Sequence, residues 1–259
     1  PAEWTSTPWH PLLACALFIV PGVPLINFVD DMLDNYIQVG IVRAVNTLLM
    51  VAAMAFGIAF AVKLCHIENF FPTISMVPHH QYWEYAIAAA ISAMGFSMIF
   101  NIQRRLLWVV AIGGIIAVCT RNFVNLGPST DNIGLDMGLV IGSFSGAVLV
   151  SLIAIKAVHW FHVPNHVLTI PSVIPMIPGV LMYRMLFGII NINVQSIDQV
   201  TPLMKAIESG VNSGLVIMCI ALGVAIPNIF GRRFIASSKN KRLAELLKER
   251  KARGKFVEW

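Results

Sequence analysis

Charge is scarce in this chain. Of 259 residues only 12% are Asp, Glu, Lys or Arg, against 57% hydrophobic, and the mean hydropathy is +0.76. A soluble domain carries about a quarter charged residues, so the composition excludes an ordinary soluble protein and points to an integral membrane protein. Short segments of alternating polarity, which mark an outer-membrane barrel, are missing as well. The apolar residues come instead in separate long runs, so the class is all-α and polytopic. Cysteine is sparse: Cys15, Cys65, Cys119 and Cys219 sit singly inside or at the ends of apolar runs. With no CxxC pair and no secreted-type spacing, buried free thiols are expected in place of disulfides or metal ligands. HExxH, P-loop and dinucleotide fingerprints do not occur, which leaves no expected cofactor, no ATP drive in the chain and no visible nucleophile–base pair for an enzyme. The pI near 9.2 does not signal nucleic acid, because ten of the 18 Lys and Arg residues follow Ile229. There is no initiator Met and no charged n-region before the first apolar run, so a start elsewhere is expected, not a signal peptide.

A spanning helix needs roughly 20 mostly apolar residues. Seven segments qualify, at about 9–28, 40–64, 83–101, 106–120, 134–157, 167–190 and 210–230. A polar link, Asn101 to Arg105, joins the third and fourth as a helical hairpin. The stretch at 66–82 is aromatic and contains proline, as interfacial segments often do. Basic residues favour the cytoplasmic side, and the tail holds ten of them, from Arg232 to Lys255, against three Glu. That end is expected to be cytoplasmic in an inner or plasma membrane, or on the equivalent face of an organelle. Counting back puts Arg104 and Arg105 inside and leaves Lys63, Arg121 and Lys205 outside. Within the tail, Leu243, Leu246 and Leu247 have helical spacing on a basic segment, which suits anionic headgroups or a docking partner.

Four glycines, Gly134, Gly138, Gly142 and Gly146, recur every four residues, a stripe that lets a neighbouring backbone approach closely. A larger repetition lies further apart. "IVPGVPL" at 19–25 and "IPGVL" at 177–181 each interrupt a span, and each is followed by a small-residue span, "AMAFGIAF" at 53–60 and "CIALGVAI" at 219–226. Five steps along the span order separate the two breaks, so the copies cross the membrane in opposite directions. Paired interrupted helices of opposite orientation are the inverted-repeat signature of secondary carriers and mark the substrate site. The organisation expected is residues 1–65 as the last two helices of a first repeat, 66–82 as an interfacial loop, 83–230 as a complete five-helix second repeat, and 231–259 as the tail. The whole is part of a five-plus-five helix carrier, its missing helices supplied by sequence before Pro1 or by a partner subunit.

The stretches "VIPMIPGVLMY" (173–183), "GFSMIFNIQRR" (95–105) and "VPGVPLIN" (20–27) resemble the threonine/serine exporter family, whose two-subunit relatives are associated with dicarboxylate (succinate) export. The likeness covers 10–62 and about 83–230. It implies a ten-helix carrier of two related halves, and it carries over Gly95, Phe96, Asn101, Pro175, Pro178, Gly179 and Tyr183 as family-like positions. Amino-acid export is implied by the resemblance alone.

Proline has no N–H and clashes with the preceding turn, so it frees carbonyls at depth, and in lipid these need protein or a water-filled cavity. Pro21, Gly22 and Pro24, with Pro175, Pro178 and Gly179, are therefore either cavity-lining or a packing kink. Arg184 lies five residues past Gly179 and either binds a substrate carboxylate or snorkels to the interface. Asn27, Asn46, Asn101 and Asn212 are interhelical hydrogen-bond partners or ligands; Asn27 and Asn101 are the site candidates. Asp30, with Asp31 and Asp34, ends the first broken helix, as a proton-coupling carboxylate or a solvated cap. His159, His162 and His166 share a helical face, as interfacial histidines more readily than as a metal site. The expected activity is secondary, proton-coupled export of threonine and serine, with a dicarboxylate carrier or a non-transporting membrane subunit as alternatives. The expected partners are the substrate, the bilayer and a second subunit or copy.

Overall fold

Long apolar runs with few charges can satisfy their backbone in lipid only as helices, and helices are what they form. A computed structural model describes residues 22–64, 81–128, 133–161, 163–190 and 200–252, and among these there is no strand. The elements are α1 (Gly22–Leu33), α2 (Ile37–Leu64), α3 (Tyr82–Ile99), α4 (Leu107–Asn125), α5 (Leu139–Phe161), α6 (Asn165–Val173), α7 (Gly179–Ile190) and α8 (Val200–Ala252). Single 3-10 turns, Arg104–Leu106 and Ile174–Met176, lead into α4 and out of α6.

Four stretches are long and apolar enough to cross a membrane: Ile37–Ile58, Arg104–Asn125, Leu139–Val158 and Leu203–Gly231. Asn165–Met176 with Gly179–Leu186, bent by 54°, makes a fifth if taken as one span. Seven were expected from the sequence. The segment at 9–28 is described only from Gly22, and α3 opens on Tyr82-Trp83-Glu84-Tyr85, a turn too polar for the same standard. The fourth span also ends later than expected, at Asn125 and not at 120, which places Arg121 within the helix.

Small residues set the packing. A Cβ at Gly114 would stand 2.7 Å from Ala93 Cβ, at Gly146 2.6 Å from Ala117 O, and at Gly223 2.9 Å from Phe144 O. α3, α4, α5 and α8 thus approach one after another at backbone distance, as glycine and alanine allow in helix pairs. Only half of the glycine ladder belongs to this seam. Gly142 and Gly146 lie in α5, whereas Gly134 and Gly138 precede it, and Gly138 takes φ +87, open to glycine at little cost. The residues between them fold back on the end of α4, with Leu135, Asp136 and Met137 donating to the carbonyls of Phe123, Leu126 and Val124. The main core gathers Ile26, Val29, Ala117, Val173, Met176 and Ile220.

α8 has 56% of its spanning window buried and α2 only 17%, so α2 is the least covered of the four spans. Gly57 of α2 has open space where Gly223 of α8 meets α5. The short link from α1 to α2 is held by the Tyr36 N–H on Asp31 O and by the Arg43–Asp31 ion pair at 2.5 Å.

Candidate functional site

The broken span carries three prolines at and before its bend. Pro171 sits inside α6, while Pro175 and Pro178 each remove a donor from the next two turns. The chain answers with tighter local bonds: Ile177 N–H donates to Ile174 O at 3.0 Å, Gly179 N–H to Ile177 O at 2.9 Å and Met182 N–H to Pro178 O at 3.2 Å. Pro178 and Gly179 are buried at the elbow, Pro175 is half-buried, and α7 departs at an angle.

The first Pro-Gly sequence comes to the same place. A Cβ on Gly22 would stand 2.6 Å from Ile177 Cδ1 and 3.7 Å from the Ile174 side chain. Three residues beyond each glycine, Leu25 and Met182 share one buried cluster with Val51 of α2 and Ile217 of α8. From this junction α1 and α7 run to opposite ends of the bundle. α1 ends beside the head of α6, where His166 Nε2 lies 3.9 Å from Asp30 Oδ2. That end also holds the amide pair of Asn165 and Asn228, near the close of the α8 span. α7 runs the other way, Gly188 meeting Ala206 and Met185 meeting Gly210 at the opening of α8.

A cavity of about 450 Å³ opens at the α1 end, its wall including Val23, Asn101, Gln103, Pro164, His166 and Pro171. Asn101 is posed by backbone geometry: at φ 54 it turns the chain out of α3, a left-handed position that asparagine tolerates better than most residues. Ile102 N–H closes the turn on Ser97 O at 3.0 Å. Val23, Asn27 and Asp30 are spaced i, i+4, i+7, so they share one face of α1. Asn27 is half-buried on that face, between the cavity wall and the carboxylate.

The residues singled out in the sequence therefore divide. Gly22 meets the turn before Pro178 and Gly179 at the junction; Asn101 is in the cavity wall, with Asn27 and Asp30 on the α1 face that borders it. Pro24 is half-buried on α1. Tyr183 is 2% exposed and Arg184 half-buried, both on α7, and neither lines the cavity. Pro21 lies outside the described residues. Sequence reading missed three participants. In the sequence pattern His166 is one of three interfacial histidines, Gln103 belongs to a polar link, and Arg121 falls beyond the expected end of its span. Arg121 Nη1 in fact donates to Met176 O at 3.4 Å, on the last turn before the elbow. A charge inside a spanning helix is the signal that would have found it, had the helix end been drawn at Asn125. Among the described residues no group of three His, Cys, Asp or Glu is placed to hold a metal ion.

Apolar spans, a broken span with buried prolines and a polar-rimmed cavity beside it define an integral, multi-pass membrane protein. Residues 85–230 match the family described as Threonine/Serine exporter, ThrE, and residues 3–65 match a second threonine/serine exporter family description. The first match covers more than half of the chain, and the chain belongs to the threonine/serine exporter family, a family of membrane exporters. No solved structure matches it.

Proposed function

We propose that the protein exports threonine and serine by proton-coupled alternating access, the two Pro-Gly breaks forming the pivot and substrate site. The observation that carries the reading is the contact of Gly22 with Ile177, from which α1 and α7 run to opposite ends. Oppositely directed half-helices meeting at depth are the arrangement an inverted-repeat carrier uses to bind substrate and to rock around it. In this reading the substrate is held among Gly22, Pro24, Asn27, Asn101, Pro175, Pro178, Gly179 and Tyr183, with Arg184 farther along α7; Pro21, also expected at the site, lies outside the described residues. Asp30, half-buried next to the protonatable His166, carries the coupled proton. In this reading the cavity, on the side of Arg104 and Arg105, faces the cytoplasm under the positive-inside rule.

The uncovered Gly57 face of α2 suits a further helix, from this protein's own first repeat, a partner subunit or a second copy. Succinate is the second substrate class, favoured by two arginines, Arg121 and Arg184, near the elbow. The test is efflux of labelled threonine, serine and succinate from proteoliposomes under an imposed pH gradient, with and without a candidate partner. Saturable, gradient-dependent efflux of threonine or serine is expected; no saturable flux of any of the three overturns the carrier reading and leaves a structural subunit.

A further inference from the structure

Arg121 brings a fixed positive charge into the packed helices in the last third of α4. A guanidinium has five N–H donors and stays protonated, and inside a bilayer such a group needs partners. Those it has are neutral and long. Nη1 donates to Met176 O at 3.4 Å, and Nε donates to Asn122 Oδ1 at 3.3 Å, both beyond the usual N–H···O range. Among the described residues no carboxylate forms an ion pair with it. Tyr85 of α3 is near enough to interact with it electrostatically.

The acceptor that Arg121 uses is itself a product of the break. In an unbroken helix Met176 O would accept from Val180 N–H. Because the chain bends at Pro178, the Val180 and Leu181 N–H groups find no backbone acceptor among the described residues. These N–H groups open α7, where the helix dipole favours an anion. Arg121 from α4 and the first turn of α7 therefore flank Met176 and Ile177, and Ile177 is the residue that Gly22 touches. Two sets of donors from different elements therefore lie at the junction.

We propose that Arg121 is the carboxylate-binding residue of the translocation site. The substrate's carboxylate takes the guanidinium from Met176 O in a bidentate pair and accepts on its other edge from Val180 and Leu181. This deepens the export reading and rests on it for the route by which substrate arrives. It separates the roles of the two arginines, since Arg121 reaches the elbow at Met176 and Arg184 lies five residues past Gly179 along α7.

The test uses the full-length protein in detergent and in proteoliposomes, as wild type, Arg121→Lys and Arg121→Gln. Thermal stabilisation and efflux are measured with L-threonine, with succinate and with L-threoninamide, which keeps the side chain and amine but lacks the carboxylate. Wild type is expected to be stabilised by threonine or succinate and not by the amide. Arg121→Gln should raise KM for the carboxylate substrate by about tenfold or more with less change in maximal flux, and Arg121→Lys should retain part of the affinity. If Arg121→Gln is monodisperse, exports threonine and keeps the wild-type KM and selectivity against the amide, the proposal falls and the export reading stands. If wild type exports neither amino acid yet is stabilised by succinate through Arg121, the threonine/serine reading falls and the carboxylate site stands. Should Arg121→Gln fail to fold, the Lys variant and the wild-type amide comparison decide. A wild type that accepts threoninamide as well as threonine, or that no carboxylate stabilises, overturns the proposal.

Discussion

His166 Nε2 stands 3.9 Å from Asp30 Oδ2, joining the first turn of α6 to the last turns of α1 at the rim of the cavity. The contact is an ion pair only while the imidazole is protonated, and in the proposed mechanism it ties a proton to the seating of α1 against α6. Replacing Asp30 by Asn keeps the shape and removes the charge. Threonine efflux driven by a pH gradient is expected to fall by about tenfold or more in Asp30→Asn, while exchange of threonine across the membrane without a gradient persists. Loss of neither, measured in proteoliposomes at equal protein content, makes Asp30 a solvated cap.

Asn101 serves the cavity through its backbone as well as its amide, because its φ of 54 lies where β-branched residues are strained. Asn101→Gly is expected to leave stability within about 0.5 kcal/mol and to weaken substrate binding, while Asn101→Val should cost about 1–2 kcal/mol. Thermal unfolding in detergent, read beside export KM, separates the two effects. Equal behaviour of the Gly and Val variants would remove the backbone argument.

Gly223 and Gly57 occupy matching places in the two small-residue stretches, yet their surroundings differ. A leucine at 223 has to displace Ala147 and the backbone of Phe144, and overpacking of that kind costs about 1–3 kcal/mol or more. A leucine at 57 meets nothing within 4 Å. Gly223→Leu should lower the melting temperature of the isolated chain by several degrees and Gly57→Leu should leave it unchanged. If Gly57→Leu becomes destabilising only when a candidate partner is present, that partner covers α2.

Pro178→Ala restores an N–H at the elbow without adding bulk. The Ile174 carbonyl, now held by Ile177 N–H, becomes available to an ordinary helical bond. The 54° bend between α6 and α7 is expected to shrink, read as a lengthened distance between spin labels at the far ends of the two helices. Export should fall several-fold with it. An unchanged distance would show that packing against Gly22, and not the proline, sets the angle.

Much of this was readable in the chain. The prolines and glycine at 175–179 disclosed the break between α6 and α7 because their backbone chemistry does not depend on neighbours, and the charge deficit disclosed the bilayer; the break expected at 20–24 falls partly outside the described residues. What escaped was decided by tertiary position. Arg121 was lost through an end point drawn five residues short of Asn125: Arg121, Asn122 and Asn125 look like a polar terminus, whereas Asn122 is buried and Arg121 is turned onto the neighbouring break. His166 gained meaning only when α1 placed Asp30 beside it. The four-residue glycine spacing was misleading for half its length, since Gly138 ends an extended stretch with a positive φ that no periodicity reveals.

α8 is 53 residues long and helical from Val200 to Ala252, although its apolar span closes at Gly231. At about 1.5 Å per residue it extends roughly 80 Å, more than twice the thickness of a hydrocarbon core of about 30 Å. Within the bundle it packs against both half-helices of the junction, α1 and α7. The helix is thereby a lever whose short arm rests on the junction. A tilt of about 5° at mid-membrane would sweep its basic end through roughly 5 Å, turning a sub-ångström adjustment at the elbow into a displacement legible far from the bilayer.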